Sequence, residues 1–172
     1  MARRHPRLWL MTDERQGEGL WAALERLPPG AGIVFRHYTL APAARRALFA
    51  RVRAIARRRR LFLVAAGAPL AGADGVHNRR GAGIRTASAH NLRELRAAER
   101  GGADLVFLSP VYPTRSHAGR KPFGPRRFAL IAHQARVPVI ALGGMNAARF
   151  RTLSGAYGWA GIDAWSSAWK LS

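Results

Sequence analysis

The sequence predicts an α/β fold: a parallel sheet closed into a shortened (β/α)8 (TIM) barrel in which some outer helices are vestigial. Three observations predict it. Short apolar runs alternate with helix-patterned stretches along the chain. The runs are almost continuously apolar, as strands buried on both faces must be. Eight such runs can be counted, enough to close a barrel, whereas a smaller number would suit the alternative of a doubly wound open sheet.

Taken in order, Leu8–Met11 reads as the first strand and ends in Thr12-Asp13. Gly17–Leu27 reads as a helix with Leu20, Leu24 and Leu27 on one face, stopped by Pro28-Pro29-Gly30. Gly32–Phe35 is the second strand and Pro42–Arg58 the second helix. Leu61–Val64, Gly75-Val76 and Ile84–Thr86 are the third to fifth strands. The segment Ala65–Ala73 is too short for a full helix, as is the one between the fourth and fifth strands, so at least two outer helices are reduced. Asn91–Arg100 is a helix capped by Asn91 with Glu94 three residues on, and Gly101-Gly102 closes it. Ala103–Leu108 is the sixth strand, Phe128–Gln134 a helix, Val137–Leu142 the seventh strand, Ala147–Leu153 a helix and Trp159–Ile162 the eighth strand. There is no linker or repeat, and 172 residues suit a single domain spanning 1–172.

Composition bounds the function. Hydrophobic residues are 48% of the chain and charged residues 22%, which excludes a disordered tail. With no cysteine, a disulfide framework and a thiolate zinc site are excluded, and a reducing cytoplasm is the compartment that fits. The apolar run Leu8–Met11 is too short for a signal core or a membrane span. The net charge of +20 points to an anionic partner. Its arginines are scattered, however, and the densest run, Arg57–Arg60, ends a helix where cations complement the dipole. That pattern favours a phosphorylated small molecule over nucleic acid, and leaves a homo-oligomer open.

In a parallel barrel the chemistry sits where strands end. The seventh strand runs into Gly143-Gly144, whose backbone can approach a ligand closely, and then into a helix start. The eighth ends near Ser166, and loops after these two strands commonly hold phosphate. The loop after the sixth strand offers hydroxyls at Thr114 and Ser116, with His117, Arg115, Arg120 and Lys121 beside them, or else is a solvated surface loop. After the fifth strand, Ser88 and His90 either face the mouth or only start a helix. Arg36 ends the second strand, where a cation needs solvent or an anion. Nine acidic residues leave few carboxylates for Mg²⁺, and no metalloprotease, Walker or Ser-His-Asp pattern is present.

Several stretches stand in one register: Thr12-Asp13, Gly72-Ala73-Asp74-Gly75-Val76-His77, Ser88-Ala89-His90, Gly102-Ala103-Asp104, Ser109-Pro110-Val111-Tyr112-Pro113-Thr114, Ala141-Leu142-Gly143-Gly144-Met145 and Gly161-Ile162. In order and spacing the chain resembles the thiamine phosphate synthase/TenI family, and the resemblance implies the barrel rather than the open sheet. It implies coupling of hydroxymethylpyrimidine diphosphate to thiazole phosphate, with loss of pyrophosphate and Mg²⁺ on the diphosphate. Carried over by position, Arg36 matches the arginine of the family's second strand, Ser88 the serine before the fifth-strand histidine, Thr114 and Ser116 the loop hydroxyls, and Gly144 and Ser166 the thiazole-phosphate contacts. The chain also departs from the family. Val34 and Tyr38 replace a glutamine and a lysine around Arg36; Ala65-Ala66 replaces the Asn-Asp pair that ends the third strand. Asn78-Arg79-Arg80-Gly81 lacks the second acidic metal ligand, His117 stands for the loop lysine, and Pro110 for the TenI tautomerase histidine. The Mg²⁺ ligands are thus lost by this comparison. The resemblance leaves three functions open: a coupling transferase, a non-catalytic or regulatory paralogue binding a phosphorylated small molecule, and a basic nucleic-acid-binding protein on the same barrel.

Overall fold

The eight strands close on themselves in sequence order, each parallel to both neighbours, with β8 pairing back onto β1. The computed structural model describes residues 5–114 and 121–165. The strands are β1 (Leu8–Met11), β2 (Gly32–Phe35), β3 (Phe62–Ala66), β4 (Gly75–His77), β5 (Ile84–Ala89), β6 (Leu105–Leu108), β7 (Val139–Ala141) and β8 (Gly158–Gly161). Between them lie α1 (Gly19–Arg26), α2 (Pro42–Arg59), α3 (Leu92–Arg100), α4 (Gly124–Ala132) and α5 (Ala147–Arg151). No helix joins β3 to β4 or β4 to β5, which is the reduction that the short connections predict.

Alternate side chains divide the core in two. Trp9, Met11, Val34, Val64, Leu105, Phe107, Ile140, Leu142, Ala160 and Ile162 form the barrel interior. Trp9 of β1 and Phe107 of β6 meet edge-to-face at 5.3 Å although their strands are not neighbours, so they touch across that interior. The Trp9 ring lies over Gly32, its register partner on β2; a Cβ there would stand 2.3 Å from the indole. The glycine makes room for the largest interior side chain, and its Nε1 donates to the Pro6 carbonyl at 2.8 Å. Their neighbours in sequence, such as Leu10, Ile33, Leu63, Val106 and Trp159, point outward and pack beneath the helices.

Several boundaries differ from the sequence reading, each for a local reason. The first helix starts at Gly19, because Asp13 and Gln16 form a capping box around a short 3-10 turn, Glu14–Gln16. Helix α4 starts at Gly124, four residues earlier than predicted, since Pro125 sits in a first turn that needs no N–H from it. Strand β5 runs on to Ala89, and β3 to Ala66.

Ala103-Asp104 lies before β6 rather than in it: the Asp104 carboxylate accepts the Arg85 N–H at 2.7 Å at the foot of β5. Asp74 does the same for the Leu63 N–H at 2.8 Å at the foot of β3. The repeated Gly-Ala-Asp segments therefore pin the bottom of the barrel. Asp104→Ala should leave the Arg85 amide without its partner and cost about 1–3 kcal/mol. The midpoint of chemical unfolding, followed by far-UV circular dichroism, measures this.

Candidate functional site

The C-terminal ends of the strands form the mouth, and one cavity of about 80 Å³ opens there between the β7 and β8 loops. Several waters, or one phosphate-sized anion, fit in that space. Arg36, Thr114, Gly143 and Gly144 all line it, together with Met145, Ile162 and Asp163. Four of the residues that the sequence singles out thus converge. Ser116, His117 and Ser166 lie outside the described residues.

The loop geometry shows why this site needs glycine. Gly143 and Gly144 take φ values of +96° and +59°, a backbone region that favours glycine. A Cβ on Gly144 would stand 2.6 Å from the Pro113 carbonyl, so the β6 and β7 loops touch here with no side chain between them. Arg149 of α5 donates to the Gly144 carbonyl, and its guanidinium stacks on the Tyr112 ring at 4.5 Å. The helix itself is only five residues long, and its cap, Asn146, already takes the Arg149 N–H at 2.9 Å. Positive charge at this loop therefore comes from side chains more than from a helix dipole.

Arg36 is held from below. Its amide donates to the Thr12 hydroxyl and its Nε to the Thr12 carbonyl, both at 2.9 Å, while Nη2 reaches Asp13 at 3.4 Å. Burial disfavours its charge and the Asp13 carboxylate opposes that effect. Asp13 in turn is bridged by Arg15 at 2.7 and 3.0 Å, and those bonds hold its carboxyl below the ordinary range.

Across the mouth, Ser88 does not line the Arg36 cavity. It belongs to a chain that runs through a buried histidine: Ser88 Oγ lies 3.1 Å from His77 Nε2, and His77 Nδ1 lies 2.8 Å from Thr86 Oγ1. A Thr86 hydroxyl donating to the Val76 carbonyl leaves its oxygen to accept from Nδ1–H, and Nε2 then accepts the Ser88 proton. In that arrangement Ser88 offers lone pairs to a ligand donor. The His77 ring packs edge-on to Phe107 at 5.6 Å, and burial, with Arg36 adding to it, pushes its pKa down to about 4. His90 stands apart, its Nδ1 2.8 Å from the Ser109 carbonyl and its amide on Glu94. Lys121 is exposed and does not line the cavity.

Sequence reasoning passed over two residues. His77 stands in the Gly72–His77 stretch of the sequence, which gives it no role of its own. Arg45, which the sequence reading does not set apart from the other scattered arginines, is 7% exposed, donating to the carbonyls of His37 at 2.8 Å, Ala68 at 3.1 Å and Ala66. Its spacing could have revealed it: Arg45, Phe49, Val52 and Ala56 form the buried stripe of α2.

The ends of β3 and β4 offer no carboxylate to a divalent cation. Strand β3 ends in Ala65-Ala66, and beyond β4 Arg79 turns to the Gly67 carbonyl at 3.1 Å. Among the described residues no three His, Cys, Asp or Glu side chains cluster in a way that could hold a metal. Among them, too, no helix is long and apolar enough to cross a membrane.

Comparison with known proteins identifies the family to which the chain belongs. The profile of the family described as thiamine monophosphate synthase (TMP-TENI) matches residues 8–165. A thiamine-phosphate synthase of Chlorobium luteolum is 43% identical over 61 residues, which is 35% of this chain and 29% of that protein. One from Geobacillus thermodenitrificans is 39% identical over 85 residues, 47% of this chain and 38% of that protein. The matched segments thus span less than half the length of these relatives. The solved thiamine phosphate pyrophosphorylase from Pyrococcus furiosus superposes with a TM-score of 0.76 at 24% identity, covering 94% of this chain and 88% of that one, a likeness of fold.

The His77 environment makes stability depend on pH. The native state resists a proton that the unfolded chain accepts at about 6.5, so the stability of neutral burial is complete above that pH. It should fall as pH drops from about 6.5 to about 4, by about 3 kcal/mol in full, and change no further below. Melting temperatures measured across this window should decline in the native protein and decline less in His77→Asn.

Proposed function

Because the chain belongs to the thiamine monophosphate synthase family, we propose that it acts in thiamine biosynthesis, joining hydroxymethylpyrimidine diphosphate to thiazole phosphate with release of pyrophosphate. The observation that carries this reading is the convergence of Arg36, Thr114, Gly143 and Gly144 on one anion-sized cavity. The thiazole phosphate sits there, between the β7 and β8 loops, with its ring nitrogen toward the barrel axis. The pyrimidine lies over Ser88, whose lone pairs accept from a ring or amino N–H. A carbon–nitrogen bond forms as the carbon–oxygen bond to the diphosphate breaks, and the electron pair leaves with pyrophosphate.

No step is routed through a metal. Diphosphate charge is met instead by Arg36 and by Arg79, Arg80 and Lys121 around the mouth, with Ser116, His117 and Ser166 as further contacts in the loops that carry them. His77 stays neutral at pH 7 and orients Ser88. Such chemistry belongs in the cytoplasm, where phosphorylated precursors are made and kept.

A second reading is favoured by one observation, the alanines that end β3. A protein that keeps the thiazole-phosphate cavity but has lost the acidic half of the pyrimidine site would bind a phosphorylated ligand without coupling it.

Thermal unfolding separates the two. Ligand at a hundred times its Kd adds about 2.7 kcal/mol to native stability, which for a chain of this size raises Tm by roughly 5–10 °C. Coupling predicts shifts with thiazole phosphate and with pyrimidine diphosphate, unchanged by EDTA, and thiamine phosphate when both are supplied. A shift with thiazole phosphate alone, and no product, selects the binding protein; no shift with either ligand removes both readings. Gly144→Asp should abolish the thiazole-phosphate shift, since a Cβ at this strained position would meet the Pro113 carbonyl at 2.6 Å and force the β6 and β7 loops apart; far-UV circular dichroism, to which those loops contribute little, checks that the barrel still forms.

A further inference from the structure

The missing helices leave a second concave surface, on the side of the barrel. In an eight-stranded α/β barrel a helix flanks each strand, but six residues, 78–83, carry β4 to β5 without one. The space beside α3 is therefore open. It forms a groove of about 380 Å³ with β5 as its floor and α3 as one wall. It runs from Asn78 and Ser88 at the top of the barrel to Arg85 and Gly101 at its foot. Six residues of β5 span about 20 Å, and nine of α3 about 13 Å, which is the height of about two and a half helical turns.

The lining is small and cationic. Ala87, Ala97 and Ala98 face the groove, and small side chains let another backbone come close. Arg79, Arg80 and Arg85 surround them. Arg80 and Arg85 join no ion pair among the described residues, and Arg79 spends one donor on the Gly67 carbonyl. Glu94, at the upper rim, is committed to the start of α3 through Asn91 and the His90 amide.

We propose that this groove docks an acidic amphipathic helix of a partner protein, which takes the place of the absent outer helix. Its small apolar face lies on Ala87, Ala97 and Ala98 while carboxylates along its edges meet the three arginines. The partner is a different chain. With 29 basic residues against nine acidic ones, a second copy has no acidic helix to offer and is repelled. The groove shares neither Arg36 nor the glycine loop, but it borders the proposed coupling site at Ser88, Arg79 and Arg80, so helix docking is read from peptide binding and not from coupling.

The test uses a fluorescent 14-residue helical peptide with leucine and alanine on one face and glutamate on the other, titrated with the full chain at 150 mM salt. Fluorescence anisotropy should report saturable binding. Ala97→Phe fills the groove without changing charge, and as an exposed position it leaves the fold intact, which an unchanged Tm verifies. It should weaken binding at least tenfold, as should Arg80→Glu, while Arg57→Glu on α2 should leave it within twofold. Equal losses in all three variants, full affinity in Ala97→Phe, or equal binding of a scrambled peptide of the same composition would each mean general attraction to a basic surface and overturn the proposal. Concentration-dependent self-association blocked by Ala97→Phe would assign the groove to a second copy and overturn it as well.

Discussion

Closure of the sheet is the constraint on which this molecule rests. An open parallel sheet leaves two edges of unpaired amide and carbonyl groups, and each buried one costs on the order of a lost hydrogen bond. A missing outer helix only bares a strip of side chains. Among the described residues the chain keeps all eight strands, while two of the connections between them carry no helix. The pairing of Leu8–Leu10 with Trp159–Gly161 completes the ring. Small interior residues, Ala66 and Ala160 among them, then share the inner space with Trp9 and Phe107, which fill it from opposite sides.

The same economy sorts the charges. Asp74 and Asp104 are spent on backbone amides at the foot of the barrel, and Glu25 on Arg58 and Arg59 at its flank. What remains near the mouth is chiefly cationic: Arg36 on its Thr12 support, Arg45 clasping three carbonyls at the ends of β2 and β3, and Arg79 reaching across to Gly67. Between them His77 stays neutral, so the Ser88 hydroxyl is oriented by an uncharged partner. Polar groups at the top thus have assigned partners below, and of the carboxylates there Asp13 is bridged by Arg15, Glu14 accepts from the Thr39 amide and Asp163 lines the cavity.

Much of this was legible in the sequence because strand burial leaves a simple mark. Continuous runs such as Leu105–Leu108 read as strands whatever surrounds them, and the two short connections announced the missing helices. Gly143-Gly144 and Arg36 were legible as mouth residues by position alone. The facing of individual side chains was not. A two-residue strand at Gly75-Val76 carries no register, so nothing in it says that His77 points inward to Phe107. By sequence Ser88 either faces the mouth or starts a helix; its bond to His77 is a relation that only the pairing of His77 with Thr86 reveals. Arg45 was hidden by its neighbours, since one buried guanidinium in an arginine-rich helix looks like the rest until its stripe is traced.

The Arg36 cradle has one more implication. Where an exchangeable ion supplies the positive charge of a phosphate site, the ion's abundance also governs occupancy. Here the charge is covalently part of the chain, braced by Thr12 and Asp13. Such a charge stays at the mouth whatever metal the surroundings hold. An anion that meets this charge is held less tightly as ionic strength rises.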